Sequence, residues 1–268
     1  MTTLITSLQN PLIKSIVKLQ QKASERKSSG MFVAEGRREV SIALRHDFEA
    51  EKLIWCREIY KPDTVYPIPV ETFPAQKLAE VSAAVYNKMA YRENTEGILL
   101  LGKSRQLNLD DFNPNTNSLV IMLEGVEKPG NLGAILRTTD AAAVDAVLLC
   151  NARTDLYNPN AIRASLGCVF SQKVIICTSQ EALNWCKKNS IRVFAAAPQT
   201  PHFYFDADFR KASAIAFGAE DQGLSPVWFE KAEQVIKIPM KGIIDSLNVS
   251  TSVAIVTFEA VRQRSRDY

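Results

Sequence analysis

The chain has 268 residues, 46% of them hydrophobic and 23% charged, with a formal net charge of +3. That length accommodates two compact domains, and the balance excludes a disordered, collagen-like or coiled-coil chain. No apolar run approaches a bilayer span and no signal-like segment opens the chain, so the expectation is a cytoplasmic protein with no membrane partner. The five cysteines (Cys56, Cys150, Cys168, Cys177, Cys186) contain no C-x-x-C pair, which predicts reduced, buried thiols. With only two histidines, His46 and His202, and no cysteine pair, neither a metal site nor an imidazole base is expected.

Positive charge is concentrated at the start. Residues 1–38 carry seven Lys/Arg against two Glu, residues 39–109 nine against ten, and residues 110–268 sixteen against seventeen. A basic segment on a near-neutral body suits a polyanion, although a solvated amphipathic helix would show the same count. From Asn10 to Ser28 the pattern predicts a helix. Leu12, Ile13, Ile16, Val17 and Leu19 form its apolar stripe, and Lys14, Lys18 and Lys22 follow one another at i, i+4 spacing. Arg26, Lys27 and Arg37 complete the basic set. MFVAEG then reads as a strand, Arg37 to Leu44 as a helix, and KLIWC, VYPIPV and GILLLG as strands, with PAQKLAEVSAAV a helix between the last two. This gives a small α/β domain over residues 1–102, and the Asn- and Asp-rich stretch 103–117 reads as a linker.

Residues 118–268 alternate strand and helix. Six apolar strand runs (SLVIMLEG, DAVLLC, KVIIC, IRVFAAA, SAIAFG, QVIKIP) predict a mostly parallel sheet with helices on both faces. The ligand site of such a sheet lies beyond the strands' C-terminal ends. Three loops there carry polar residues among glycines. EGVEKPGNLGAILRTTD (124–140) holds Asn131 between Gly130 and Gly133, with Arg137 six residues later, so the two side chains need not share a helix face. AFGAEDQGLS (216–225) holds Glu220, which would serve a ligand or only cap a turn. KIPMKGIIDSLNVSTSVAIV (237–256) places Ser246 and Asn248 before an apolar helix, where either serves equally well as an N-cap. G-x-G-x-x-G does not occur, which removes one common reason for glycine loops in α/β sheets.

In this order, PGNLGAILRT, FGAEDQGLS and IPMKGIIDSLNVS resemble the three motifs of the SpoU/TrmH family of RNA ribose 2′-O-methyltransferases, within the SPOUT superfamily. The resemblance is strong over about 118–264 and looser over SLQNPLIKSIVKLQ, FVAEGRREV and EGILLLG, which look like the family's ribosomal-protein-like substrate-binding domain. It implies a C-terminal trefoil knot that binds S-adenosylmethionine, a homodimer, and an RNA substrate, ribosomal RNA first and tRNA second. Carried over by motif, the catalytic set is Asn131, Arg137, Glu220, Ser246 and Asn248. The cofactor set is Ala196, Ala197, Gly218, Ile238, Met240 and Leu247, and the RNA-binding set is Lys14, Lys18, Lys22, Arg26, Lys27, Arg37 and Arg137. One departure stands out: Lys128 precedes the first motif's proline, where the family usually has an acidic residue. A non-catalytic RNA-binding module is the alternative, since GNLG is formally a GXXG loop, but FGAEDQG and DSLNVS would then have no role.

Overall fold

A computed structural model describes residues 4–91 and 94–265. In chain order the elements are α1 (Pro11–Gln21), α2 (Ala23–Ser29), β1 (Met31–Glu35), α3 (Arg37–Arg45), β2 (Ala50–Trp55), β3 (Leu78–Glu80), α4 (Ala83–Met89), β4 (Ile98–Lys103), β5 (Leu119–Glu124), α5 (Pro129–Ala141), β6 (Ala146–Cys150), α6 (Pro159–Ala164), α7 (Cys168–Ser171), β7 (Val174–Cys177), α8 (Ser179–Lys188), β8 (Arg192–Ala196), β9 (Ser213–Phe217), α9 (Pro226–Lys231), β10 (Gln234–Ile236) and α10 (Val249–Arg264). They form two compact units, one of residues 1–105 with 155–171, the other of residues 106–154 with 172–268.

The first unit is built on a sheet of order β1-β4-β2-β3, antiparallel except for the β2–β3 pair. Asn10 caps α1, its Oδ1 accepting from the Leu12 amide at 2.9 Å, and Pro11 occupies the first helical position. Ile13, Ile16 and Leu19 bury one face of this helix. The predicted single helix breaks at Lys22, whose backbone is extended at φ −119°, ψ 116°. Two further expectations fail here. VYPIPV forms no strand, because Pro67 and Pro69 supply no amide for a ladder. PAQKLAEVSAAV divides into a 3₁₀ turn, β3 and the start of α4, because Leu78–Glu80 pairs with β2 and Ser82 then starts a helix by accepting from the Val85 amide. Residues 155–171, read from sequence as part of the second domain, belong to this unit. Their Tyr157 and Phe170 join Phe32 and Phe48 in one aromatic cluster, with Tyr157 stacked on Phe32 at 5.2 Å.

The second unit carries six strands in the order β10-β8-β9-β5-β6-β7, and every neighbouring pair is parallel. Strand β5 is buried along its whole length and α10 packs on α5, so both sheet and helices face apolar surface. The predicted linker is no free tether. Leu107 pairs with Ile175, and Phe112 is buried and stacked on Trp185 at 5.6 Å. Those apolar residues tie an otherwise polar stretch to the core. Of the five cysteines, all unpaired with one another by disulfide, Cys56, Cys150 and Cys186 are buried while Cys168 and Cys177 are half-buried.

Candidate active site

The strand register lines up the loops that follow. Ile236 pairs with Ala196, Ala196 with Phe217, and Phe217 with Leu123, so β10, β8, β9 and β5 present their C-terminal ends in one row. The next residues along the chain are Lys237 and Ile238, Ala197, Gly218 and Glu124. A parallel sheet thus brings together segments scattered over more than a hundred positions of sequence.

One hydrogen-bonded chain joins the three motif loops. Asn248 Nδ2 donates to Asn131 Oδ1 at 3.3 Å, and Asn131 Nδ2 donates to Glu220 Oε1. Asn248 also caps α10, its Oδ1 accepting from the Ser250 amide at 2.9 Å and hydroxyl at 2.6 Å. The Asn248 amide thus serves two contacts: one end holds the helix start and the other reaches the first motif. Arg137 and Ser246 stand apart from this chain. Arg137 is exposed and its side chain makes no hydrogen bond or ion pair among the described residues, as its spacing from Asn131 permits. Ser246 donates to its neighbour Asp245 at 3.2 Å.

The second motif makes a tight loop. The Gly223 amide returns to the Ala219 carbonyl at 2.9 Å with Gly223 at φ +65°, a conformation glycine adopts freely. A Cβ on Gly218 would overlap the backbone of Gly223 and Leu224, so glycine is required there. Arg153 braces the rim, donating to Glu127 at 2.7 Å and to Gln222 at 3.0 Å.

Glu124, at the end of β5, escaped the sequence reading as a site-building residue. It is 7% exposed and accepts from the Ser179 hydroxyl at 2.6 Å, the Ser225 amide at 2.7 Å, the Ser225 hydroxyl at 2.8 Å and Asn151 at 3.3 Å. Burial pushes its carboxyl up, but the hydrogen bonds from Ser179 and Ser225 outweigh this and hold it below the usual carboxylate range. Its signal in the sequence was a lone carboxylate closing a wholly apolar strand.

The cofactor set fits a nucleoside-containing ligand. Ala196, Ala197, Gly218, Ile238, Met240 and Leu247 are all half-buried. Among the described residues, the backbones of Gly218, Ile238, Met240 and Leu247 pair with no other backbone group, so half-buried donors and acceptors remain open in these segments. No group of three or more His, Cys, Asp or Glu able to hold a metal occurs among the described residues.

In the basic segment Lys14, Lys18, Lys22 and Lys27 are exposed. Arg26 is not available to RNA. Its side chain is 4% exposed, pairs with Asp155 at 2.5 Å and donates to the Leu19 carbonyl. Arg37 is also engaged, with Asp63 and Glu96, each at 3.2 Å. Two of the predicted RNA-binding cations are thus spent on the fold.

Residues 118–258 match the SpoU rRNA methylase family, and residues 10–100 match an MRM3-like substrate-binding domain. A 23S rRNA (guanosine-2′-O-)-methyltransferase, RlmB, of Vibrio vulnificus is 31% identical over 70% of this chain and 78% of its own. A crystal structure of an RNA 2′-O ribose methyltransferase superposes with a TM-score of 0.81 at 36% identity, covering 98% of this chain and 99% of that one. An AdoMet-bound rRNA methyltransferase from Sinorhizobium meliloti gives 0.88 at 27% identity, covering 97% and 98%. The chain belongs to the SpoU rRNA methylase family.

Proposed function

We propose that this protein transfers a methyl group from S-adenosylmethionine to the 2′-hydroxyl of a ribose in structured RNA, ribosomal RNA before tRNA. The observation that carries the reading is the Asn248–Asn131–Glu220 chain, which joins three separate motif loops above the C-terminal ends of one parallel sheet. When bound, S-adenosylmethionine supplies an electrophilic methyl on a sulfonium. The unpaired backbone groups of Gly218, Ile238, Met240 and Leu247 would hold its adenosine, with Ala196 and Ala197 closing the pocket. Asn131, Glu220 and Asn248 fix the loops around the reacting ribose, and Ser246 lies two residues before Asn248 to orient it. Arg137 offers donors and positive charge but no lone pair, so its role is to hold an RNA phosphate and stabilise the alkoxide that develops at the 2′-oxygen.

The first unit docks the RNA, with exposed Lys14, Lys18, Lys22 and Lys27 facing phosphate. Its four-stranded sheet with flanking helices supports the ribosomal-protein-like reading. Strand β10 lies at the sheet edge, yet α10 returns to pack on α5, which supports a trefoil knot. Exposed Phe258 on α10, with Ile243 and Ile244, supports a homodimer. Free thiols and an RNA substrate support a cytoplasmic site of action. Mapping of 2′-O-methyl sites in total RNA from cells with and without the protein tests the reading. At least one ribosomal site should disappear. An unchanged map, together with no cofactor binding by calorimetry at millimolar concentration, would refute it.

A further inference from the structure

We infer that Glu124 is a positioning residue for methyl transfer, acting through Ser225 to hold the second motif's loop so that Glu220 meets Asn131. The loop leaves β9 at Gly218 and re-enters regular structure at Ser225, the N-cap of α9. At its start the Cα-only side of Gly218 lies against the backbone of Gly223 and Leu224, so the loop has no room to relax by sliding over β9. Its far end is fixed by the two bonds that Glu124 accepts from Ser225, at 2.7 Å from the amide and 2.8 Å from the hydroxyl. Between these anchors the only side-chain bonds from the described loop residues to the first motif's neighbourhood are Glu220 to Asn131 and Gln222 to Arg153, the latter at 3.0 Å. Arg153 in turn holds Glu127 of the first motif's loop at 2.7 Å.

The direction of every bond at Glu124 matters. Both carboxylate oxygens only accept: Oε1 from Ser179, Ser225 and Asn151, and Oε2 from the Ser225 amide. An amide in its place would turn an NH₂ group toward either the Ser225 amide or the cluster of donors on the other side. The Ser225 amide cannot reverse its role, whereas the serine hydroxyls can rotate. Glu124→Gln, nearly isosteric, therefore leaves packing alone and replaces the charge-assisted bonds to Ser225 with weaker neutral ones. Ser179 offers the contrast. It touches the same carboxylate from α8, which does not carry the loop.

The inference rests on the methyltransferase reading, and wild-type protein in the same assay tests that reading separately. Methyl transfer to RNA at saturating cofactor and thermal unfolding are measured for wild type, Glu124→Gln, Ser225→Ala and Ser179→Ala. Glu124→Gln and Ser225→Ala should lower kcat by roughly tenfold or more with little change in the KM for RNA, the pattern of a lost transition-state arrangement. Ser179→Ala should lower the melting temperature comparably to Ser225→Ala but keep kcat within about twofold. Equal kcat losses in the two serine variants, or full kcat in Ser225→Ala, would overturn the inference and leave Glu124 as a purely structural carboxylate. Should Glu124→Gln fail to fold, the serine pair decides. An inactive wild type that binds no cofactor would refute the function and not the anchor.

Discussion

The motif loops of the second unit and the basic segment of the first use polar residues in opposite ways. In the loops, residues that look like mere helix furniture do two jobs: Asn248 caps α10 and also bonds to Asn131. In the basic segment, residues that look free are consumed by folding: Arg26 is buried on Asp155, and Arg37 is paired with Asp63 and Glu96. Loop function is encoded in order and spacing along a sheet, which chain topology converts directly into proximity. A cation's function depends on what surrounds it in three dimensions, and charge counting does not see that.

The largest effect that separates the two regions should come from Arg137. It is exposed and its side chain makes no hydrogen bond or ion pair among the described residues, so Arg137→Ala removes charge without opening the core. Loss of a group that stabilises a developing oxyanion costs roughly 10²–10³-fold in kcat. Calorimetry should show cofactor binding unchanged and thermal unfolding undisturbed. A variant with normal kcat would remove Arg137 from the reaction.

Next comes Arg26, where the opposite outcome is expected. Arg26→Ala leaves Asp155 without its partner and frees the Leu19 carbonyl beside a side chain that is 4% exposed. Breaking a buried pair costs about 3–5 kcal/mol, and the partial exposure of Asp155, 26%, places this one at or below the lower end. Chemical denaturation should register the loss, while the salt dependence of RNA binding stays as in wild type. A reduced salt slope with intact stability would return Arg26 to the RNA-binding surface.

Much of the second unit was legible in the sequence because its signals are local and redundant. Each of the six apolar runs became a strand, and the buried parallel sheet needs nothing more than such runs separated by helices. The first unit was less legible. VYPIPV has the composition of a strand, but its prolines deny it a ladder, and the helical pattern across Ala75–Val85 was overruled by pairing of Leu78–Glu80 with β2. The 103–117 stretch reads as a linker by its Asn and Asp content, yet Leu107 and Phe112 decide its place. Of the site, Asn131, Glu220 and Asn248 are brought together as the motifs imply. The supporting carboxylate Glu124 was missed because its partners, Asn151, Ser179 and Ser225, lie just beyond three different strands. No spacing rule connects those positions before the sheet order is known.

A smaller contrast lies within one loop. Gly218→Ala forces a Cβ into the Gly223 and Leu224 backbone, an overpacking expected to cost about 1–3 kcal/mol and to weaken cofactor binding through the displaced loop. Gly223→Ala meets open space and carries only the strain of φ +65°, about 1–2 kcal/mol. Calorimetric titration with S-adenosylmethionine should therefore distinguish the two glycines even where their melting temperatures fall together. Equal affinities would mean that the Gly218 loop does not hold the cofactor.

The smallest expected effect tests the cations that folding leaves exposed. Lys14 and Lys18 lie on α1 and Lys22 at the break that follows it, and all are solvent-exposed. Each lysine in contact with a phosphate releases counterions on binding, contributing about 0.7–0.9 to the slope of log affinity against log salt. Replacing all three by glutamine should therefore flatten that slope by about 2 if most of them touch RNA. The folded state should be unaffected, since none of the three carries an ion pair among the described residues. The break at Lys22 sharpens the test further. It turns α2 away from the register of α1, so Lys22→Gln alone need not match the change produced by Lys14→Gln or Lys18→Gln. Three equal single effects would describe a diffuse electrostatic field. A deficit confined to Lys14 and Lys18 would place the RNA backbone along α1, and no change in any of them would leave the basic segment as the solvated helix that its charge count equally allows.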